Sequence, residues 1–492
     1  MYHQPSKHKQ LLQRIAIYTI MTLSVILLVV VLVFFMRGYR FDTKGGRIEQ
    51  GGLVQLVSQP SGASVTIDGR SFGSRTTAKT TMNTGEHVIS MQRTGYLPWQ
   101  KTVSVKAGEV LWLNYARLIP KERPVETVAD LDTPVSSLVS PNSKWMIIAS
   151  KKPSENFKLI DLSQNDIEPV SLDLPEELIT DSADASKSSL SVTSWDFSNH
   201  HVLVRHAYIT DSGKKKNEWL VIDTQQPEKS ANITTALGID PSTVVFSSAT
   251  NRQVYALVNG TVRRIEVESR TMSGPLVSQV ESFKVTRKAL FYTTLRDAKT
   301  GVRSVGYLSG NSVKPRTIRS FTDDGKKQLN IVSGDYFDQT YTAISYGDTI
   351  EIMKGELPRS DSSVALSLSL QTTITTPSPV NFLNYRLGGR FIVAQTDNAF
   401  IVHDAELAKT TTTPIKGESV QATELHWLDG FHVWSDQGGV LRMYEFDGAN
   451  QHELMSVAPG FDAALSPSGA YLYAVTADDS GYRLSRVRMI LQ

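Results

Sequence analysis

The side chains able to do chemistry are few and scattered. Ten histidines are spread along the chain, and none falls in the His-Glu-x-x-His or His-x-His spacing that sets two imidazoles on one metal ion. The nearest group is His200, His201 and His206. Neighbouring residues of a strand point to opposite faces, so His200 and His201 do not readily share an ion, and a solvated turn is expected there. Asp323-Asp324-Gly325 and Asp478-Asp479-Ser480-Gly481 carry acidic oxygens, but neither continues into a calcium loop closed by a glutamate, so both are expected as turns. Lys214-Lys215-Lys216 offers charge to an acidic polymer and is expected as a solvated hairpin tip. There is no Gly-x-Ser-x-Gly elbow, no Walker loop and no Gly-x-Gly-x-x-Gly turn. The absence of cysteine removes thiolate catalysis, disulfides and thiolate-bound metals together. No catalytic, cofactor-binding or metal-ligating residue is assigned, no cofactor is expected, and the chain is read as not an enzyme.

The elements that must hold any site begin with an uncharged stretch, Ile15 to Met36. As a helix it is about 33 Å long, enough for a hydrocarbon core of ~30 Å. It lacks the polar stripe of a core helix and the small-residue cleavage site of a signal peptide, so an uncleaved membrane helix is expected over 15–36. Lys7, Lys9 and Arg14 precede it and Arg37, Arg40, Lys44 and Arg47 follow it, so flanking charge does not orient it. A short basic segment ahead of a long following mass is a signal-anchor arrangement. It gives a cytoplasmic tail over 1–14 and everything beyond the helix outside the cytoplasm.

After a Gly-rich connector over 37–52, with Gly45-Gly46 and Gly51-Gly52, short alternating strands are punctuated by turns. Asp68-Gly69 supplies the positive φ of a tight hairpin, with Val65 and Ile67 on one strand face. A last pair of strands is expected near Gln100–Val105 and Val110–Leu118. Residues 53–119 resemble a PEGA domain, a small β-sandwich, through Pro60-Ser61-Gly62-Ala63, Val65, Ile67-Asp68-Gly69, Gly85-Glu86-His87, Gly95-Tyr96 and Trp99. Ser61 stands where the family's motif has Glu, and Thr76-Thr77-Ala78 replaces a Thr-Pro pair. The resemblance implies a wall-proximal spacer or carbohydrate-binding unit without catalytic residues. Tyr96 and Trp99 offer faces to a sugar ring, but aromatics beside a turn in a small sandwich are expected to fill its core.

From 120 to 492 strand patterning continues with no sustained amphipathic helix. Ser140-Pro141-Asn142-Ser143 followed by Trp145–Ala149 is copied as Ser466-Pro467-Ser468-Gly469 followed by Tyr471–Val475. Weaker copies start near Ser194, Val245, Phe283, Tyr336, Phe382 and Leu425, spaced by roughly 40 to 50 residues, the period of propeller blades. The Ser-Pro-x-x turn before an apolar strand resembles that of TolB-like and WD40-like β-propellers. Seven or eight blades are expected, with Pro124–Ala129 completing the last and closing the ring.

The fold class is therefore all-β: a transmembrane helix, a PEGA-like β-sandwich and a seven- or eight-bladed β-propeller. Lys and Arg number 51 against 49 for Asp and Glu, a net charge of +2 that gives no field to hold nucleic acid. The expected function is that of a non-catalytic, single-pass envelope or surface protein, its propeller binding a protein or an envelope polysaccharide. The alternative is an extracytoplasmic hydrolase or lyase with its site at the channel mouth, assembled from distant blades.

Overall fold

Between Ile15 and Met36 every residue is apolar or carries a hydroxyl, and this stretch forms the body of one helix, α1 (Lys7–Met36). Its window Arg14–Phe34, 21 residues, is long and apolar enough to cross a membrane, and none of it is buried within the protein. Thr19, Thr22 and Ser24 donate their hydroxyls to the carbonyls of Ile15, Tyr18 and Met21, the way a hydroxyl is satisfied without water. The structure is a computed structural model and describes residues 7–36, 39–41, 48–151, 157–248, 252–322, 325–386, 389–417 and 424–491. Two compact units emerge, Met1–Glu122 and Arg123–Gln492.

In the first unit, Tyr39–Phe41 pairs with Ile48–Gln50, while Gly45-Gly46 lies outside the described residues. Residues 52–117 form two sheets. One holds Arg70–Arg75, Ser64–Ile67, Gly85–Gln92 and Trp99–Val105, and the other Ala78–Met82, Gly52–Gln59 and Val110–Arg117. Asp68 (φ 50°) and Gly69 (φ 76°) make the expected hairpin turn, placing Ile67 opposite Arg70. The last two strands are not a pair: Trp99–Val105 is antiparallel to Gly85–Gln92, and Val110–Arg117 runs parallel to Gly52–Gln59 in the other sheet. Their apolar faces differ in partner, so sequence adjacency did not decide pairing. Val54, Leu56, Val65, Ile89, Met91 and Leu113 are almost wholly buried between the sheets.

The second unit contains, among the described residues, eight four-stranded antiparallel sheets. Blades 1 to 7 span 134–171, 189–232, 241–272, 280–322, 329–375, 382–414 and 426–456. Blade 8 takes its inner three strands from 464–488, and its outermost strand, Val125–Leu131, from the start of the unit. Eight is thus the blade number, and every start read from the sequence falls on the first strand of a blade or the turn after it. Of the second strands, Phe391–Gln395 is buried at every residue and Trp145–Ser150 at all but Trp145. They read as continuous apolar runs because neighbouring blades cover both faces. Met146 and Ile148 of blade 1 pack with Tyr473 and Leu484 of blade 8, which joins the ends of the ring. The repeated turn has one design: Ser143, Asn199 and Gly469 hold positive φ (58°, 62°, 70°), and their N–H groups donate to Ser140, Asp196 and Ser466 three residues back. A left-handed residue is needed there, which Gly469 of Ser-Pro-x-Gly provides freely and Ser143 of Ser-Pro-Asn-Ser and Asn199 of Asp-Phe-Ser-Asn provide at some steric cost.

Candidate functional site

Across the middle of the ring, blades that are not neighbours are bonded. Lys284, on the first strand of blade 4, donates from Nζ to the Leu383 carbonyl of blade 6 at 2.8 Å and reaches Asn384 Oδ1 at 3.4 Å. Asn384 Nδ2 donates to Glu424 Oε1 just ahead of blade 7. Burial pulls the Lys284 ammonium below its ordinary range, with Glu424 opposing. His426 stacks on Trp434 at 5.0 Å and stands 3.9 Å from Asp462. Burial holds the Asp462 carboxyl above the usual range against His426 and the Val139 and Ala463 amides. Several of these groups join blades, as Asp462 joins 8 to 1 by accepting from Val139 N at 2.9 Å, while the His426 side chain is 46% exposed.

A second constellation lies between blades 1 and 2, beside a cleft of about 440 Å³. His206 and Glu218 are register partners on the second and third strands of blade 2, and both are buried, 2% and 0% exposed. His206 Nδ1 is 2.8 Å from Glu218 Oε1, and Ser188 Oγ is 2.8 Å from His206 Nε2. Glu218 also accepts from Thr180 N (2.8 Å), Thr180 Oγ1 (2.6 Å) and Asn232 Nδ2 (2.7 Å). Burial alone would raise its carboxyl; the hydrogen bonds from His206, Thr180 and Asn232 outweigh that and leave it below the usual range. Glu218 is therefore a carboxylate, an acceptor only.

A third feature is a cavity of about 390 Å³ lined by the turn Thr286–Lys288 of blade 4, Asp335 of blade 5, Arg359 and Tyr385. Lys288 Nζ is 2.8 Å from Asp335, and Arg359 pairs with Asp361 at 3.0 Å. Arg287 and Lys288 are exposed at its rim.

The solvated turn expected for the histidine group is corrected. His201 lies between Asp196 (3.1 Å) and Asp223 (3.4 Å), and His206 is sealed against Glu218. The reason is that the strand His201–Ile209 is the second of its blade and is covered on both faces. Only His200 sits in the turn, its N–H donating to Asp196 Oδ1. Lys214–Lys216 is exposed at the tip of that hairpin, and Asp478 accepts from Ser480 in a turn. Asp323 and Asp324 lie outside the described residues. Tyr96 and Trp99 are each 1% exposed and fill the sandwich core, with Trp99 edge-on to Tyr115 at 6.2 Å, so neither face is open to a sugar. Among the described residues no group of three or more His, Asp and Glu side chains is placed to hold a metal ion. The pair His206 and Glu218 escaped a search by linear spacing. Hairpin symmetry about Ser212 would have found it, because a tight turn there sets the two opposite each other.

Fold and sequence together define a β-propeller chain carrying a PEGA domain. The PEGA domain family matches residues 52–118. No curated protein matches the chain in sequence. Among solved structures, dipeptidyl peptidase 4 of Porphyromonas gingivalis is similar with a TM-score of 0.46 at 11% identity, over 73% of this chain and 58% of that one. This chain thus spans well under two thirds of that protein's length. Oligogalacturonate lyase of Vibrio parahaemolyticus gives a TM-score of 0.37 at 10% identity, over 75% of this chain and 98% of that one. A chain of the yeast Nup82-Nup159-Nup116 nucleoporin complex gives 0.41 at 10% identity, over 65% and 97%.

Proposed function

We propose that this chain is a membrane-tethered extracytoplasmic recognition protein whose propeller takes an anionic envelope polysaccharide. Helix α1 is the tether, with the N-terminus in the cytoplasm and both β-units outside. An apolar helix with no residue buried against the protein needs another apolar phase to cover it. The observation that carries the recognition reading is the cavity whose lining holds three cations, Arg287, Lys288 and Arg359, with one carboxylate, Asp335, and the side chain of Tyr385. Cations fix carboxylate or phosphate groups, and a tyrosine face packs against a pyranose.

Topology is testable because the chain has no cysteine. With Lys215→Cys, a membrane-impermeant maleimide should label intact cells, and with Ser6→Cys it should label only after lysis. The reverse pattern overturns the orientation. Recognition is read by titrating full-length detergent-solubilised protein with acidic and neutral polysaccharides of matched length. Acidic chains should bind, weaken steeply with salt, and lose at least about tenfold in affinity in Arg287→Glu/Arg359→Glu. Equal binding of the neutral chain overturns the anionic reading, an unaffected double variant overturns this cavity as the site, and failure of both chains to bind removes the polysaccharide. A protein partner is then the remaining reading.

A further inference from the structure

Ser188, His206 and Glu218 come from three separate segments and stand in one line, hydroxyl to imidazole to carboxylate, at 2.8 Å and 2.8 Å. We propose that Ser188 is a nucleophile, with His206 as its base and Glu218 as the positioning residue, in a site between blades 1 and 2 that hydrolyses small esters with an apolar acyl group. This goes beyond the recognition reading and is independent of it, since it uses a different cleft and different residues.

The hydrogen-bond roles follow from the carboxylate. Glu218 can only accept, so the proton of the imidazole sits on Nδ1, and in the neutral ring Nε2 presents its lone pair to the Ser188 hydroxyl. The ring is held in that orientation by burial and by stacking on Tyr208 at 5.4 Å. Glu218 in turn is fixed by Thr180 and Asn232. A nucleophile bonded to a base that a third group orients is the arrangement serine catalysis requires, whatever the fold and chain order. A purely structural network would pin the segment before blade 2 through Glu218 and Thr180 without needing Ser188. That residue is half-buried and lines the cleft, and among the described contacts its hydroxyl bonds to the imidazole alone.

The cleft limits the substrate. Leu172, Leu174 and Ile179 give it an apolar wall, while Asp173, Glu176 and Asp181 add carboxylates. Those charges repel an acidic substrate and favour a neutral or cationic one. In the reaction Ser188 Oγ bonds to the acyl carbon as its proton passes to His206 Nε2. That proton then goes to the departing alkoxide as the ester C–O bond breaks. Water, losing a proton to the same nitrogen, attacks the acyl-serine, the carboxylic acid leaves, and the proton returns to Ser188. No oxidant or other co-reactant enters.

The test uses the full-length chain in detergent. A fluorophosphonate probe should modify the peptide bearing Ser188, and hydrolysis of p-nitrophenyl butyrate should fall at least about 100-fold in Ser188→Ala, with Ser186→Ala, at an exposed position outside the cleft, as a neighbouring control that keeps both. Because the chain lacks cysteine, Ser188→Cys provides a readout that a structural role would not move. Its alkylation by iodoacetamide should have a midpoint clearly below the ordinary thiol value of about 8.5, and below that of Ser186→Cys. His206→Gln on that background should return it to the ordinary value. If the fluorophosphonate labels wild type and Ser188→Ala alike, or if the two cysteines titrate together, the proposal is overturned.

Discussion

Arg486 donates from Nε to Glu126 Oε2 at 2.9 Å across a separation of 360 residues, and its guanidinium lies 4.4 Å over the ring of Tyr471. Glu126 belongs to the strand that opens the propeller unit and Arg486 to the last strand, so this pair fastens the two ends of the ring. The fastening is not where most of the closure energy lies. Glu126 is 44% exposed on its side chain, and exposed ion pairs contribute about 0–1 kcal/mol. Leu131, at the end of the same strand, is 7% exposed and packs with Met146, Ile148 and Tyr473.

The first prediction sets these two against each other. Glu126→Gln should change stability by less than about 1 kcal/mol, and Leu131→Ala should cost about 2–5 kcal/mol. Urea denaturation midpoints of the full-length chain check both. Comparable losses would show that the ion pair contributes to ring closure as much as the packed cluster does.

The second prediction concerns pH. Burial pushes His201 down, but Asp196 and Asp223 on either side lift it above its ordinary value. A group whose folded pKa is raised contributes stability in full below its unfolded value of about 6.5 and loses it as pH rises through the folded value. Wild type should therefore lose thermal stability relative to His201→Gln as pH climbs from about 6 to 9. Asp196 works in the opposite direction: burial raises its carboxyl, the bonds from His201, Ser198 and the His200 and His201 amides outweigh that and leave it lowered, and its contribution disappears as pH falls below about 4. A His201→Gln curve parallel to wild type from pH 6 upward would contradict the arrangement.

Trp99 supplies the third. It is 1% exposed, and its strand pairs it with Met91. Trp99→Ala should cost about 3–5 kcal/mol and speed amide exchange throughout Gly85–Gln92, whereas Trp99→Phe should do so far less. Had the ring been a sugar platform at the surface, its removal would leave exchange unchanged.

Much of this fold was legible because turns and blades repeat. Asp68-Gly69 names its hairpin by backbone need alone, and Ser140-Pro141 and Ser466-Pro467 mark equivalent turns at the two ends of the ring. What was not legible came from contacts that no linear spacing records. Trp99–Val105 and Val110–Arg117 follow one another yet enter different sheets, because burial on the sandwich interior decided their partners. His201 and His206 read as a polar cluster near a turn, while the strand carrying them is a covered second strand, and only a covered position draws in Asp196 and Glu218 as partners. Ser188 has no motif about it. Its relation to His206 exists because the segment ahead of blade 2 is tied to the second and third strands, Ala183 N donating to the Ile209 carbonyl and Thr180 N to Glu218.

Lys284 offers the last prediction. Its ammonium reaches from blade 4 to the Leu383 carbonyl and Asn384 of blade 6, and burial lowers its pKa while Glu424 pulls the other way. The folded state therefore releases this proton at a lower pH than the unfolded chain, whose lysines titrate near 10.4. Between the two values the unfolded chain holds one proton more, so stability rises with pH there, and below that window the buried charge is a constant cost. Lys284→Met keeps the bulk of the side chain and removes the titration. The stability of wild type relative to Lys284→Met should then grow as pH rises from neutral into the alkaline range toward about 10, measured as the difference in thermal midpoint at each pH. A difference independent of pH would mean that the lysine reaches solvent instead of joining blades 4 and 6.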